Sequence, residues 1–329
     1  MRVISCAGYY GTGSSAVTDF FSEFDCIKSL GTTEIKLLQD CDGVGALEMN
    51  IIEHPHRHNT SHAIKRFIKA AKFENGNMFS KRYRRLFGDD YMKYTSEYIN
   101  EIVQLKTPNT WRGDSIERGE LFYMLDALIS VISKKINRKY WTSLLSLTNE
   151  PGYFTAIDRD SFYSATKKFT DKLFQSVGDG YEYVMVDQLT APSEVSKYMN
   201  YVNNLKVVVV DRDPRDVFLE WHLPYYHAQP YSVEDFCKWF KILREHRKTD
   251  EPCDNTMLIH FEDLIYKYDE TSNKLINFAG LSNQHHSMKK KIFTPEISIK
   301  NTRKWEKESG FRKEIDYIEK NLNEYLYPY

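Results

Sequence analysis

Apolar residues fall into two kinds of pattern along the chain. Arg2-Val3-Ile4-Ser5-Cys6-Ala7, Cys26-Ile27-Lys28-Ser29-Leu30, Tyr183-Val184-Met185-Val186, Lys206-Val207-Val208-Val209-Val210 and Thr256-Met257-Leu258-Ile259-His260-Phe261 are short runs that read as strands. The unbroken run from Val207 to Val210 between polar neighbours describes a strand covered on both faces, as in a parallel α/β sheet. Elsewhere the spacing is helical. Ala16, Val17, Phe20, Phe21 and Phe24 share one face, a helix is expected from about Ser193 to Val202, and Leu275, Ile276 and Phe278 precede a terminating Gly280. Ile315, Ile318, Leu322 and Leu326 place a last helix near the end.

From about Leu47 to Gly180 the character changes to helical periodicity, many charges and no strongly β-branched runs. Phe162, Ala165, Phe169, Leu173 and Val177 trace one helix face; Leu121, Leu125, Leu128, Ile129 and Ile132 trace another. The pattern predicts one α/β domain over residues 1–329, a central parallel sheet flanked by helices. Residues 47–180 are expected as a large helical insertion covering the crevice, where specificity for a second substrate would sit.

The turn Gly8-Tyr9-Tyr10-Gly11-Thr12-Gly13-Ser14-Ser15 joins the first strand to the first helix. Its glycines let the backbone approach an oxyanion, unpaired N–H groups of the first helical turn point into the loop, and Ser14 and Ser15 add hydroxyl donors. Gly8 and Gly13 have the Walker A spacing, but Ser14 stands where that motif has its lysine. The missing lysine argues against ATP hydrolysis and leaves the anion cradle intact. A glycine-rich connector in an ordinary α/β domain is the plainer reading of this stretch alone.

Composition narrows the classes. Lys+Arg 45 against Asp+Glu 46 gives a net charge of -1, with no bias toward nucleic acid or an anionic membrane. The five cysteines, Cys6, Cys26, Cys41, Cys237 and Cys253, are scattered without CxxC spacing, which suits a reducing compartment. No apolar run approaches the roughly 20 residues of a membrane span, and the N-terminus enters a strand at once. The expectation is a soluble, cytoplasmic protein without nucleic-acid partners; the oligomeric state is left open.

Further candidate chemistry is local. Glu34 and Lys36 follow the second strand and could face the same crevice as the glycine turn, where Glu34 would be a candidate general base; a glutamate before an apolar stretch is more often a helix start. His54-Pro55-His56-Arg57-His58 and His62 invite a metal reading, but no HExxH or cysteine spacing supports it and Pro55 breaks the face, so no metal site is assigned. Use of one histidine in acceptor binding is the alternative. Lys81-Arg82-Tyr83-Arg84-Arg85 is a solvated basic face or a dock for an acidic acceptor. Beyond the valine run, Asp211-Arg212-Asp213-Pro214-Arg215-Asp216 puts Arg212 at a central strand's C-terminal end, where such sheets bind anions.

Five separated stretches resemble, in order, the PAPS-dependent sulfotransferases, enzymes with a P-loop-like sheet that use 3′-phosphoadenosine 5′-phosphosulfate (PAPS). Gly8 to Ser15 resembles the loop holding the 5′-phosphosulfate, and Val207 to Val217 the strand-loop-helix holding the 3′-phosphate. Asp187-Gln188-Leu189-Thr190-Ala191-Pro192, Ile259 to Leu264 with Phe278 to Leu281, and Asn301 to Trp305 resemble the remaining three. The resemblance covers roughly residues 1–40 and 181–329. It implies that Gly11, Thr12, Gly13, Ser14 and Ser15 hold the 5′-phosphate, that Arg212, Arg303 and Lys304 serve the 3′-phosphate beside Glu220, and that Glu34, Ser14 and Lys36 are the catalytic set of a glycan-modifying member. No metal is implied.

Three departures accompany it: Gly11 replaces the usual Lys or Arg beside the sulfonate, Gln188 a second lysine, and Glu220 a serine at the 3′-phosphate. Either Lys36 or a cation from the helical segment substitutes, or activity is weak or lost; one electrostatic donor of this kind is worth roughly 3–4 kcal/mol. Sulfonyl transfer to a hydroxyl, with a carbohydrate acceptor in polysaccharide biosynthesis, is the leading expectation. A P-loop small-molecule or sugar kinase and a non-catalytic nucleotide-binding protein of the same fold are the rivals.

Overall fold

The computed structural model describes residues 1–76, 82–137, 142–220, 230–248, 250 and 253–329. The chain divides into two compact units, Met1–Gln39 with Thr170–Tyr329, and Asp40–Phe169. In the first unit β1 (Arg2–Gly8), β2 (Ile27–Ser29), β3 (Tyr183–Asp187), β4 (Leu205–Asp211) and β5 (Thr256–His260) form one sheet in the order β2-β3-β1-β4-β5, every pair parallel. The protein is thus α/β with a central parallel sheet flanked by helices, as its apolar runs predict. Val207, Val208, Val209 and Val210 are completely buried, so alternate valines meet opposite layers. Each such side chain contributes roughly 1.5–3 kcal/mol by leaving water.

Two clusters cover the sheet unit. Phe20 and Phe21 of α1 (Ser15–Phe21), with Phe24 just after it, pack with Ile4, Met185, Val208 and Ile259. Val217 and Phe218 of α2 (Pro214–Glu220) pack with Phe236 and Phe240 of α3 (Val233–Lys248). Leu275 and Ile276 of α4 (Tyr268–Ala279) join the first cluster, and Gly280 ends that helix in the left-handed region at φ 71°. Ile315 and Ile318 of α5 (Arg312–Asn321) join the second with Leu322; the helix stops at Asn321, so Leu326 follows in a tail. The helix expected over Ser193–Val202 shrinks to Val195–Tyr198. Glu194 takes a left-handed backbone at φ 60°, and the Asp250 carboxylate accepts from the Val195 N–H at 2.7 Å and the Ser196 hydroxyl at 2.6 Å.

Register sets the location of the site. Cys6 lies opposite Asp187, Gly8 opposite Val210, and Asp211 opposite His260. The segments leaving β1, β3, β4 and β5 therefore emerge at one edge. β1 separates β2 and β3 from β4 and β5, so the switch point of the strand order falls at the glycine turn.

The second unit contains helices Arg57–Asn75, Asp90–Ile102 and Glu120–Ile136, most of a helix whose full span is Arg159–Val177, and an antiparallel ribbon of Leu105–Pro108 with Pro151–Phe154. The ribbon had no apolar alternation to announce it. Phe162, Ala165 and Phe169 are buried, and Tyr98 stacks on Phe169 at 4.8 Å. The other predicted face does not enter a core: Glu120–Ile136 buries none of its residues. In the basic cluster Tyr83 is buried while Arg82 pairs with Glu74 and Arg84 with Asp89; Lys81 lies outside the described residues. No helix among the described residues is long and apolar enough to cross a membrane.

Candidate functional site

A cavity of about 780 Å³ opens at the C-terminal edge of the sheet, lined on one side by the glycine turn and on the other by Arg212, Glu220 and Asn301. The turn is shaped by left-handed backbone at Tyr10, Gly11 and Gly13, with φ 64°, 68° and 81°. At Gly13 a Cβ would stand 2.6 Å from the Phe261 ring, so the site needs both the backbone angle and the missing side chain. Thr12 does not line the cavity. It is buried inside the turn, where its Oγ1 accepts the Tyr9 N–H at 3.1 Å. The N–H groups of Gly11, Thr12, Gly13 and Ser14 make no hydrogen bond to a described residue, which leaves four successive donors for an anion.

Gln188, at the end of β3 with φ 52°, stitches the turn to the strand. Its Oε1 accepts the Gly8 N–H at 3.3 Å, and its Nε2 donates to Ser14 Oγ at 2.6 Å. Because Ser14 Oγ accepts there, its hydrogen is available to a ligand. The position where the sulfotransferase resemblance expects a lysine is thus a neutral brace. Ser14 and Ser15 both reach the cavity.

Arg212 leaves β4 buried at 4% exposure, with its guanidinium 5.2 Å from the centre of the same Phe261 ring that lies against Gly13. One terminal nitrogen donates to the Gly11 carbonyl at 2.7 Å; the other donates to the Asn301 carbonyl and lies 3.4 Å from Glu220 Oε2. Its Nε is buried without a partner among the described residues. Arg212 and the turn thus grip one hollow. Glu220 also accepts from Lys304 Nζ. Burial opposes ionisation of Glu220, but the Lys304 hydrogen bond and the charges of Arg212 and Lys304 outweigh it and hold the carboxyl below its ordinary range. Glu220 is therefore an internal counterion.

Arg303 is not brought to the cavity. Its side chain pairs with Glu306 and lies over the Tyr329 ring, and only its N–H is used nearby, donating to Asp216 at 2.8 Å. Glu34 and Lys36 do line the cavity, outside any helix, and form an ion pair at 2.8 Å; Lys36 Nζ also lies 5.8 Å from the Tyr10 ring centre.

The spacing gave no sign of Phe261 as the plate beneath Gly13 and Arg212, although its place just after β5, level with Arg212, could have suggested it. Asp187 was also missed as a titrating group. Burial pushes its carboxyl up to about 6, against the hydrogen bond from Cys6 Sγ at 2.8 Å, and the charges of Glu34 and Asp19 push it further. Behind Phe261, burial pushes Glu262 up to about 8, although its Oε1 accepts the Asp213 N–H at 3.0 Å.

Three of the histidines between 54 and 62 make contacts near themselves in the fold. His56 Nδ1 accepts the His58 N–H, His58 stacks on Trp111 at 4.4 Å, and His62 lies 3.3 Å from Glu117. Among the described residues one mixed donor group could share an ion, Asp25, Cys26 and His285; the Cys26 carbonyl accepts from the Tyr183 N–H at the start of β3, so this group sits at the other end of the strands.

No family model matches the chain, and no curated protein matches it. Among solved structures it is similar to a sulfotransferase domain from the curacin biosynthetic pathway, at 11% identity and TM-score 0.38 over 87% of this chain and 76% of that one. It is also similar to a sulfotransferase from Mycobacterium tuberculosis, at 11% identity and TM-score 0.34 over 92% of this chain and 77% of the other.

Proposed function

We propose that this protein transfers a sulfonyl group from PAPS to a hydroxyl of an acceptor, with a carbohydrate as the acceptor class. The observation that carries the reading is the single cavity lined both by the glycine turn, whose N–H groups from Gly11 to Ser14 have no partner among the described residues, and by Arg212. Gly11 to Ser14 would receive the 5′-phosphosulfate through backbone donors and the Ser14 hydroxyl, and Arg212 the 3′-phosphate. The acceptor oxygen attacks sulfur in line, the bond from sulfur to the bridging phosphate oxygen breaks, and Glu34 takes the acceptor proton. Lys36 supplies the positive charge that Gly11 and Gln188 do not, and preorganised donors stabilise the departing phosphate. Acceptor recognition is assigned to residues 47–180 on their sequence character.

Glu220 supports a second reading. A carboxylate beside Arg212 repels a phosphate monoester but accepts a hydrogen bond from a ribose hydroxyl, which suits a nucleotide without a 3′-phosphate, as in a P-loop kinase. Thermal unfolding against adenosine 3′,5′-bisphosphate and against ATP with magnesium separates the two. Ligand at a hundred times its dissociation constant stabilises by about 2.7 kcal/mol. Stabilisation by the bisphosphate alone is expected; stabilisation by ATP alone replaces the sulfotransferase reading with the kinase one. Glu34→Gln should abolish transfer while leaving bisphosphate binding unchanged. Binding without transfer to any glycan by the wild type would leave a non-catalytic nucleotide-binding protein.

A further inference from the structure

The helix Glu120–Ile136 is built inside out. Its own unit holds it by the polar side: Asp126 Oδ1 accepts the Leu145 N–H at 2.7 Å and Ser133 Oγ accepts the Thr142 N–H at 2.8 Å. The opposite side is apolar and open. Leu121 is 73% exposed, Met124 65%, Leu128 55%, Val131 53% and Ile136 81%, with Leu125 and Ile132 close to half. At about 100° per residue these seven fall within a sector of about 140°. Their summed exposure equals that of about four fully open large side chains, on the order of 800 Å². A patch of that size exceeds what a monomeric soluble protein leaves in water, and it matches the roughly 800 Å² that each partner contributes to a standard interface.

We infer that this face is covered by the same face of a second copy of the chain, the two helices running antiparallel. A closed two-fold contact requires a self-complementary surface, and the charges supply one. Exposed Glu120 stands at the N-terminal edge of the apolar sector, and exposed Lys135 lies within it near the C-terminus. Antiparallel pairing brings each glutamate to the partner's lysine and opposes the helix dipoles; parallel pairing would set lysine on lysine. An anionic membrane is a poorer occupant, because Glu120 and Asp126 cancel Lys134 and Lys135 and leave the helix no net positive charge.

The test is light scattering and sedimentation of the full chain at micromolar concentration. The expected mass is twice 38.8 kDa. Leu125→Glu with Leu128→Glu should weaken dimerisation at least about a hundredfold with an unchanged circular dichroism spectrum, since each residue is about half exposed in the single chain and a longer polar side chain can turn to solvent there. Glu120→Lys should weaken it about tenfold, the pair being doubled by symmetry, and Lys135→Glu in the same chain should restore it. A wild type that stays monomeric overturns the inference, whether or not it co-sediments with phosphatidylglycerol vesicles. So does a dimer that survives the double glutamate variant, or a charge swap that fails to rescue.

Discussion

The two ends of the cavity are built from opposite materials. At the glycine turn the donors are uncharged: backbone N–H groups, the Ser14 hydroxyl, and Gln188 as a brace where a cation would be usual for the family resembled. At the far end the donor is a buried guanidinium already engaged by the Gly11 and Asn301 carbonyls and by Glu220, which also holds Lys304. The first end can take an anion without releasing a partner. The second must loosen an ion pair before it can, so part of its Coulombic attraction is spent inside the protein. On the proposed reading, the turn would be the place of pre-organisation and the Arg212 end the place of discrimination between ligands.

Four changes would break or sharpen that contrast. The largest effect is expected for Arg212→Ala, which removes the charge bonded both to the turn and to the Asn301 carbonyl: affinity for adenosine 3′,5′-bisphosphate should fall by about 3 kcal/mol, the upper part of the range for hydrogen bonds to a charged group. Calorimetry returning an unchanged dissociation constant would remove Arg212 from the site. Next comes Gly13→Ala, which puts a methyl group 2.6 Å from Phe261 at a φ of 81°. A loss of about 2 kcal/mol in stability is expected, read from urea unfolding, with the turn's anion affinity lost as well.

A third change concerns Asp187, whose carboxyl is raised by burial to about 6. A raised acid binds its proton more tightly when folded, so its contribution to stability is complete below about pH 4 and is lost as pH rises through about 6. Asp187→Asn should therefore gain about 1–2 kcal/mol above pH 7, less than the full linkage value because the cavity admits water, and nothing below pH 4. Urea unfolding that shows the same gain at pH 4 as above pH 7 would remove Asp187 as the titrating group. The smallest effect is expected for Glu220→Ser, which frees Arg212 and Lys304 from their counterion. Bisphosphate affinity should rise by about 1 kcal/mol relative to AMP. An equal or greater gain for AMP would favour the ribose-binding role of Glu220.

The sheet was legible in the sequence because a strand buried on both faces has one composition available to it. The valine run meets that condition with β1 and β3, while the edge strands β2 and β5 are only partly buried and were legible from their apolar runs alone; all five joined one sheet. The glycine turn was legible for a related reason, since three of its positions need backbone or space that glycine supplies most easily. The helix Glu120–Ile136 shows the limit of the same method. Its periodicity is as clear as that of Phe162, Ala165 and Phe169, yet one face is buried and the other open, because periodicity reports that a face is apolar and not what lies against it.

What the sequence determined by itself was the strands, the turn, and the presence of Arg212 at a strand end, each dictated by short-range sterics and by the cost of leaving apolar runs in water. Only the tertiary structure decided which charges meet. That Glu220 meets Lys304 and that Gln188 braces Ser14 follow from the packing of segments distant in the chain. Coulomb energy and hydrogen bonding depend on separation in space, and separation along the chain carries almost no information about that.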